Sequence, residues 1–149
     1  TRPKNLQDNP TPSDNALALE ALLIHAAFTG DLAAIEEAGA TMRSIAAASM
    51  SHPTFGGYAL AVWLTHLVGI KEVAIVGHDT AAMQDVIWSA FRPAVVTAIG
   101  DGQPSSVPLL ANRPLTTETQ VYVCEGLVCD LPTTSPADLA HQLEAATDG

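Results

Sequence analysis

The sequence KEVAIVG at residues 71–77 marks the point at which the chain changes from a helical to a strand pattern. Small and β-branched apolar residues follow one another without polar alternation and end at a glycine, which is typical of a buried strand. A similar sequence, AVVTAIG, occupies residues 94–100, and residues 80–91 between the two have apolar side chains at helical spacing. Strand, helix and strand at these distances predict a βαβ unit with two parallel strands.

The chain after the second strand indicates further strands and one last helix. Residues 101–119 are rich in Pro, Gly, Ser and Thr and are interpreted as a connection. The sequence QVYVC at residues 120–124 predicts a third strand, and the turn residues at 125–126 predict a short return strand at 127–129. A final helix is predicted at about residues 139–146.

Three helices are predicted upstream of the first strand, at about residues 12–28, 32–50 and 57–68, with Thr11 as the cap of the first. The first and third are apolar almost all round and are expected to be buried on most sides, whereas the second is amphipathic. The order of buried, amphipathic and buried helices is typical of nested helical hairpins. In an α/α barrel, inner and outer helices alternate in this way. Three helices cannot close such a barrel, so the missing helices are expected upstream of Thr1.

We therefore predict a mixed fold of α+β and α/β character with a boundary near residue 70. Residues 1–69 are expected to be the terminal helices of an α/α barrel. Residues 70–149 are expected to form a small parallel α/β lobe of three or four strands, against which the helical segment packs.

The charge distribution excludes two classes of partner. The net charge is −10, and the six basic residues are spread singly along the chain. Phosphate backbones and anionic membranes attract clustered cations, so neither nucleic acid nor a membrane surface is an expected partner. No apolar run reaches the roughly 18 to 20 residues that span a bilayer. Two cysteines are too few for a secreted disulfide scaffold, and a cytoplasmic location is the expectation.

Cys124 and Cys129 are the first candidates for chemistry, because a strand, a tight turn and a return strand could bring them together. The favoured interpretation is that both pack as small buried apolar side chains. A disulfide or a reactive dithiol is the alternative. Zinc would require two further ligands and the chain has no second cysteine pair, so neither a metal nor a cofactor is predicted.

A candidate pocket is formed by Ser13, Asp14, Asn15 and His52 at the ends of predicted barrel helices. Substrates of α/α barrels bind at the mouth, where Asp14 and Asn15 could hydrogen-bond a sugar hydroxyl and His52 could face a cavity. Helix capping is the favoured interpretation of the first three residues, and solvation that of the histidine. No catalytic residue is assigned.

Three stretches in register resemble one family. They are Arg2-Pro3-Lys4 with the helix start at residues 11–16, the strand EVAIVG, and the closing segment VYVCEGLVC with the prolines that follow it. The family is that of the thioredoxin-domain-containing proteins related to spermatogenesis-associated protein 20 and the bacterial YyaL proteins. The chain departs from the family pattern at Asp14, where the family has Gly, which puts in doubt any role that needs a bare backbone at this turn.

The resemblance implies a long parent protein with a thioredoxin-like domain followed by a six-hairpin α/α barrel similar to sugar epimerases and glycosidases. The leading hypothesis is that this chain is its C-terminal structural and interaction module, without catalysis of its own. Its partners would then be the upstream domains of the same protein, or a second copy through exposed barrel-helix faces. A part in a carbohydrate-processing enzyme is the first alternative, and a thiol redox module using Cys124 and Cys129 is the second.

Overall fold

The computed structural model describes residues 5–8, 11–126 and 128–144. It contains five α-helices and four strands, together with two short 3-10 turns at Pro53–Phe55 and Pro108–Leu110. The helices are α1 (Asp14–Thr29), α2 (Leu32–Ser51), α3 (Gly57–Val68), α4 (Ala81–Trp88) and α5 (Pro136–Glu144). The strands are β1 (Lys71–Val76), β2 (Val95–Gly100), β3 (Gln120–Glu125) and β4 (Val128–Cys129). The mixed α and β class predicted from the sequence is confirmed.

Some predicted features fall outside the described residues. These are the Arg2–Lys4 part of the family resemblance, the first residue of the predicted return strand, Leu127, and the predicted end of the last helix at Ala146. The described chain divides into two compact units. The first contains the described residues up to Ala26 together with Asp31–Gly69, and the second contains Ala27–Gly30 and the described residues from Ile70 onward.

The helical unit buries only one face of α1. Ser13 caps this helix, because its Oγ accepts a hydrogen bond from the Ala16 backbone N–H at 3.3 Å, so the helix begins two residues later than the prediction of a Thr11 cap. Buried positions recur at helical spacing, and they are Ala16, Leu19, Leu23 and Ala26. On the other side Leu17 and Ile24 are exposed. The prediction that α1 is buried on most sides is therefore wrong for this chain.

The α3 helix is also buried on one face only, and it packs closely against α2. Only Ala59 and Val62 of α3 are buried. A Cβ atom at Gly39 of α2 would lie 2.7 Å from the His66 Nε2 atom, so a larger residue there would displace the α3 histidine. The apolar residues at the C-terminal end of α3 are exposed, namely Leu64, Leu67 and Val68. Both α1 and α3 thus carry exposed apolar side chains.

The second unit is built on a four-stranded sheet in the order β2-β1-β3-β4. The predicted parallel pairing of the first two strands is confirmed. The other pairs, β1 with β3 and β3 with β4, are antiparallel, so the sheet is mixed and not parallel throughout. The reason is that the 101–119 connection stays at the end of the sheet where β2 finishes. Gln120 therefore lies opposite Val76, the last residue of β1, and β3 runs back along it.

Both faces of this sheet are covered. On one face Val73 and Ile75 of β1 pack with β3, α4 and α5 in a cluster that also contains Val121, Val123, Met83, Ile87, Leu139 and Leu143. On the other face Ala74 packs with the last turn of α1 and the second 3-10 turn in a cluster of Ala27, Val96, Ala98 and Leu109. Among the described residues, none of the helices has the length and apolarity that a membrane crossing requires.

Candidate functional site

Cys124 and Cys129 are joined by a disulfide between the two strands of the closing hairpin. The residues lie directly opposite each other in the pairing of β3 with β4, with an S–S distance of 2.06 Å and a Cα–Cα distance of 3.9 Å. Gly126, at a φ of 54°, lets the chain turn back at this point. Cys124 is 4% exposed, whereas Cys129 is exposed. The interpretation of both cysteines as small buried apolar side chains therefore does not hold for Cys129.

A guanidinium group lies against the buried sulfur. The Arg113 Nη2 atom is 3.4 Å from the Cys124 Sγ, and the Arg113 Nε–H donates to the Leu109 carbonyl oxygen at 2.7 Å. The guanidinium carbon also lies 4.4 Å from the centre of the Tyr122 ring, within the range of a cation–π interaction. Burial lowers the pKa of Arg113, and the charges of Tyr122 and Glu72 act in the opposite direction. Since a guanidinium stays protonated in proteins, the buried sulfur faces a permanent positive charge.

A buried carboxyl group lies on the same face of the sheet. Glu72 of β1 is directly opposite Cys124 of β3, so the two side chains project to one side. Glu72 is 8% exposed. Its pKa is raised, first by burial and second by the nearby charge of Glu125, while Arg113 lowers it. The disulfide therefore has a fixed cation and a carboxyl group with a raised pKa in its surroundings.

Sequence reasoning missed both of these residues. Arg113 was one of six scattered basic residues, and nothing local distinguishes it within a Pro-rich connection. Glu72 did carry a signal, because it is a charged residue at the second position of an otherwise apolar strand. Within the ranges that the structure describes, no group of three or more His, Cys, Asp or Glu side chains could hold a metal ion.

The predicted pocket residues serve mainly to organise the helical unit. Ser13 is 1% exposed and caps α1, and the Asn15 side-chain amide donates to the Asn5 carbonyl oxygen at 2.7 Å. Asp14 is exposed. His52 is exposed as well and ends α2, where its backbone N–H donates to the Ser49 carbonyl oxygen. No hydrogen bond joins His52 to the other three, and the sugar site stays a prediction.

Asp8, which sequence reasoning did not select, connects the starts of two helices. Its carboxylate oxygens accept hydrogen bonds from the Ser13 backbone N–H at 2.8 Å and from the Tyr58 backbone N–H at 2.7 Å. The Tyr58 hydroxyl in turn donates to the Glu20 carboxylate. This hydrogen bond raises the pKa of Tyr58, and burial and the charges of Glu20 and Asp8 raise it further. Asp8 thus satisfies backbone donors at α1 and α3 that no helical carbonyl can reach.

Comparison with known proteins identifies relatives of the chain. It is 27% identical to human spermatogenesis-associated protein 20 over 152 aligned residues, which cover 95% of the chain and 19% of that protein. The mouse protein of the same name is 26% identical over the same 95% of the chain and 19% of its own length. The rat protein is 32% identical over 84 residues, or 50% of the chain. The chain is a relative of spermatogenesis-associated protein 20. The family relationship inferred from the three sequence stretches is confirmed.

The match covers most of the chain but only a small part of its relatives. The chain spans 19% of the length of human and mouse spermatogenesis-associated protein 20. No protein-family model matches the chain, and no solved structure matches it. The thioredoxin-like domain and the α/α barrel that the resemblance implies therefore stay predictions.

Replacing Asp8 by Ala is expected to destabilise the helical unit. The variant loses the acceptor for two helix-start N–H groups, each worth about 0.5–2 kcal/mol, so the free energy of unfolding should fall by about 1–4 kcal/mol. Urea denaturation followed by circular dichroism measures it. Asp14→Ala is the matched control, because this exposed acid contributes only its charge at the helix start, about 0.3–1 kcal/mol. Equal losses in the two variants would contradict the capping role of Asp8.

Replacing Glu72 by Gln is expected to stabilise the protein at neutral pH. Because the folded state raises the pKa of Glu72 above its ordinary value of 4.5, the unfolded chain loses this proton first as the pH rises. Above the pKa of the unfolded chain, the native Glu72 carboxyl group therefore lowers the free energy of unfolding. The uncharged amide of Gln does not titrate, so the variant avoids this loss of stability.

Urea denaturation at several pH values tests this expectation. The gain of Glu72→Gln should be present near pH 7 and should disappear below about pH 4, where the carboxyl group is protonated in both states. Glu118→Gln, at an exposed position of the same unit, is the control. A variant that is less stable than the native chain near pH 7 would show that the ionised carboxylate is needed in the fold.

Proposed function

We propose that the chain is a thiol–disulfide redox module of a larger protein, with Cys124 and Cys129 as the reacting pair. The observation that supports this function is the unequal environment of the two sulfurs. Cys129 is an exposed residue, whereas Cys124 is buried and its sulfur lies against the Arg113 guanidinium. Exposed disulfides are the more easily reduced ones, and a neighbouring cation favours the thiolate form that exchange requires.

The size of the closed loop limits what the disulfide adds to the stability of the fold. A disulfide stabilises a fold mainly by restricting the unfolded chain, and it does so more strongly when the loop is long. Cys124 and Cys129 are separated by only 5 positions in the sequence, for which the expected contribution is about 2 kcal/mol. Since the sheet is held by its two apolar clusters, we expect the fold to survive reduction.

The expected cytoplasmic location is part of the same proposal. Disulfides in that compartment are usually transient and serve catalysis or redox sensing, because glutathione and thioredoxin keep thiols reduced. A dithiol that cycles with a redox partner is compatible with such a setting. The thioredoxin-like domain implied by the family resemblance would be one such partner within the parent protein.

A second candidate function, a structural and interaction module, is favoured by the exposed end of α3. Leu64, Leu67 and Val68 share one helix face, since they are three and four residues apart, and each is at least 60% exposed. We propose that this face packs on other segments of the parent protein, because the relatives are about five times as long as the chain. Completion of an α/α barrel wall would be such a contact.

The redox function predicts reversible reduction of the folded chain. Dithiothreitol should convert the disulfide to two thiols without loss of the circular dichroism spectrum, and removal of the reductant should restore it. Intact mass after alkylation counts the thiols, with the double variant Cys124→Ser and Cys129→Ser as the blank. The free energy of unfolding of the reduced chain should fall by about 2 kcal/mol. A disulfide that reacts only after denaturation would contradict the proposal.

The interaction function predicts self-association of the isolated chain through α3. Sedimentation measurements at increasing concentration should detect it, and the double variant Leu64→Ser and Leu67→Ser should be monomeric with almost unchanged stability, because both side chains are exposed. Phe91→Ser is the matched control, since this phenylalanine is 91% exposed but lies in the other unit. A native chain that stays monomeric at the highest concentration would contradict the proposal.

A further inference from the structure

We propose that thiol exchange at this site has a fixed direction: a partner thiolate enters at Cys129, and Cys124 leaves as a thiolate stabilised by Arg113. This inference rests on the proposed redox function and assigns a separate role to each residue. It also assigns Arg113 as a catalytic residue, because its guanidinium contacts a reacting atom.

Access determines which sulfur is attacked. Exchange begins when a thiolate approaches one of the two sulfurs along the S–S bond, so that sulfur must be open to the partner. Cys129 lies in the two-residue edge strand β4 and is exposed. Cys124 lies one strand further into the sheet and is 4% exposed. Cys129 is therefore the more accessible of the two cysteines to an incoming protein thiol.

The position of Arg113 matches the opposite sulfur. A thiol leaves faster when its thiolate is stabilised, and a cation at hydrogen-bond distance does this. Arg113 is held in place by the Leu109 carbonyl oxygen and the Tyr122 ring, so it does not need to reorganise when charge develops on Cys124. Glu72 of β1 lies opposite Cys124 in the strand register, and burial raises the pKa of its carboxyl group.

The reaction balances with a protein dithiol as the reductant. The first partner thiolate bonds to the Cys129 Sγ, the S–S bond breaks, and its electron pair goes to the Cys124 Sγ. The second partner thiolate then attacks the partner sulfur of the mixed disulfide and releases Cys129 as a thiolate. The partner dithiol becomes a disulfide, and its two protons leave to solvent and are taken up by the two cysteines of this chain.

The surface around the entry sulfur indicates which kind of dithiol fits. Val128 and Leu131, on either side of Cys129 in the chain, are 76% and 86% exposed, and the chain carries a net charge of −10. An apolar rim on an acidic protein favours a protein surface over glutathione, which is a small anionic thiol. The inferred partner is therefore a protein with two neighbouring thiols in an apolar setting.

The direction of exchange can be measured on the native chain without any substitution. The oxidised chain is mixed with excess glutathione, used here only as a probe, quenched by acid and alkylated, and fragmentation mass spectrometry locates the adduct. We expect glutathione on Cys129 and the alkyl group on Cys124. An adduct on Cys124, or equal amounts on both, would overturn the assignment of the entry sulfur.

The role of Arg113 is tested by the rate of reduction with dithiothreitol. Arg113→Gln should slow this rate about tenfold or more, as expected for loss of a charged hydrogen bond, and Arg113→Lys should recover part of it. Arg92→Gln is the matched control, because Arg92 donates to the Val86 and Ile87 carbonyl oxygens of the same unit and should leave the rate unchanged.

The possible failures are distinguishable. A native disulfide that resists reduction in the folded chain would remove the redox function itself. Normal reduction at an equal rate in Arg113→Gln would leave that function in place and remove the role of the arginine. Circular dichroism of each variant separates a lost fold from a lost rate, and the adduct position in the native chain remains informative if Arg113→Gln does not fold.

Discussion

Burial of the β1 strand on both faces and along both edges is the constraint on which the second unit depends. Val73, Ala74 and Ile75 are all 0% exposed, which requires a strand on each side and a covering layer above and below. β2 supplies one edge in parallel and β3 the other in antiparallel pairing. Both apolar clusters contain residues of this strand, so its register helps to position both covering layers.

The two cysteines of the candidate site differ in burial because they lie at different distances from β1. Glu72 belongs to β1, Cys124 to the neighbouring β3 and Cys129 to the edge strand β4. Accordingly, Glu72 and Cys124 are buried residues, whereas Cys129 is exposed. Arg113, which lies in the connection before β3, places its guanidinium against the Cys124 sulfur. A strand at a sheet edge has no outer neighbour, so the outer sulfur is open to reaction for a geometric reason.

The helical unit follows a different principle, because polar contacts organise its helix starts while its apolar faces stay incomplete. Asp8 and Ser13 satisfy the first N–H groups of α1 and, for Asp8, of α3. The exposed leucines of α1 and α3 have the composition of a protein core without the neighbours that would cover them. This combination is expected of helices that have ordered ends and a packing surface still available to a partner.

The sequence alone determined the helices, the parallel pair β1–β2 and the closing hairpin, because periodicity, caps and turn residues act over a few neighbouring positions. It also showed the family relationship, through three stretches that need no knowledge of contacts. It did not determine the direction of β3 or the one-sided burial of α1 and α3. Nor did it reveal the arginine and the glutamate beside the cysteines. Those features depend on which distant residues meet across the sheet, and only the tertiary structure decides that, because burial and charge act through space and not along the chain.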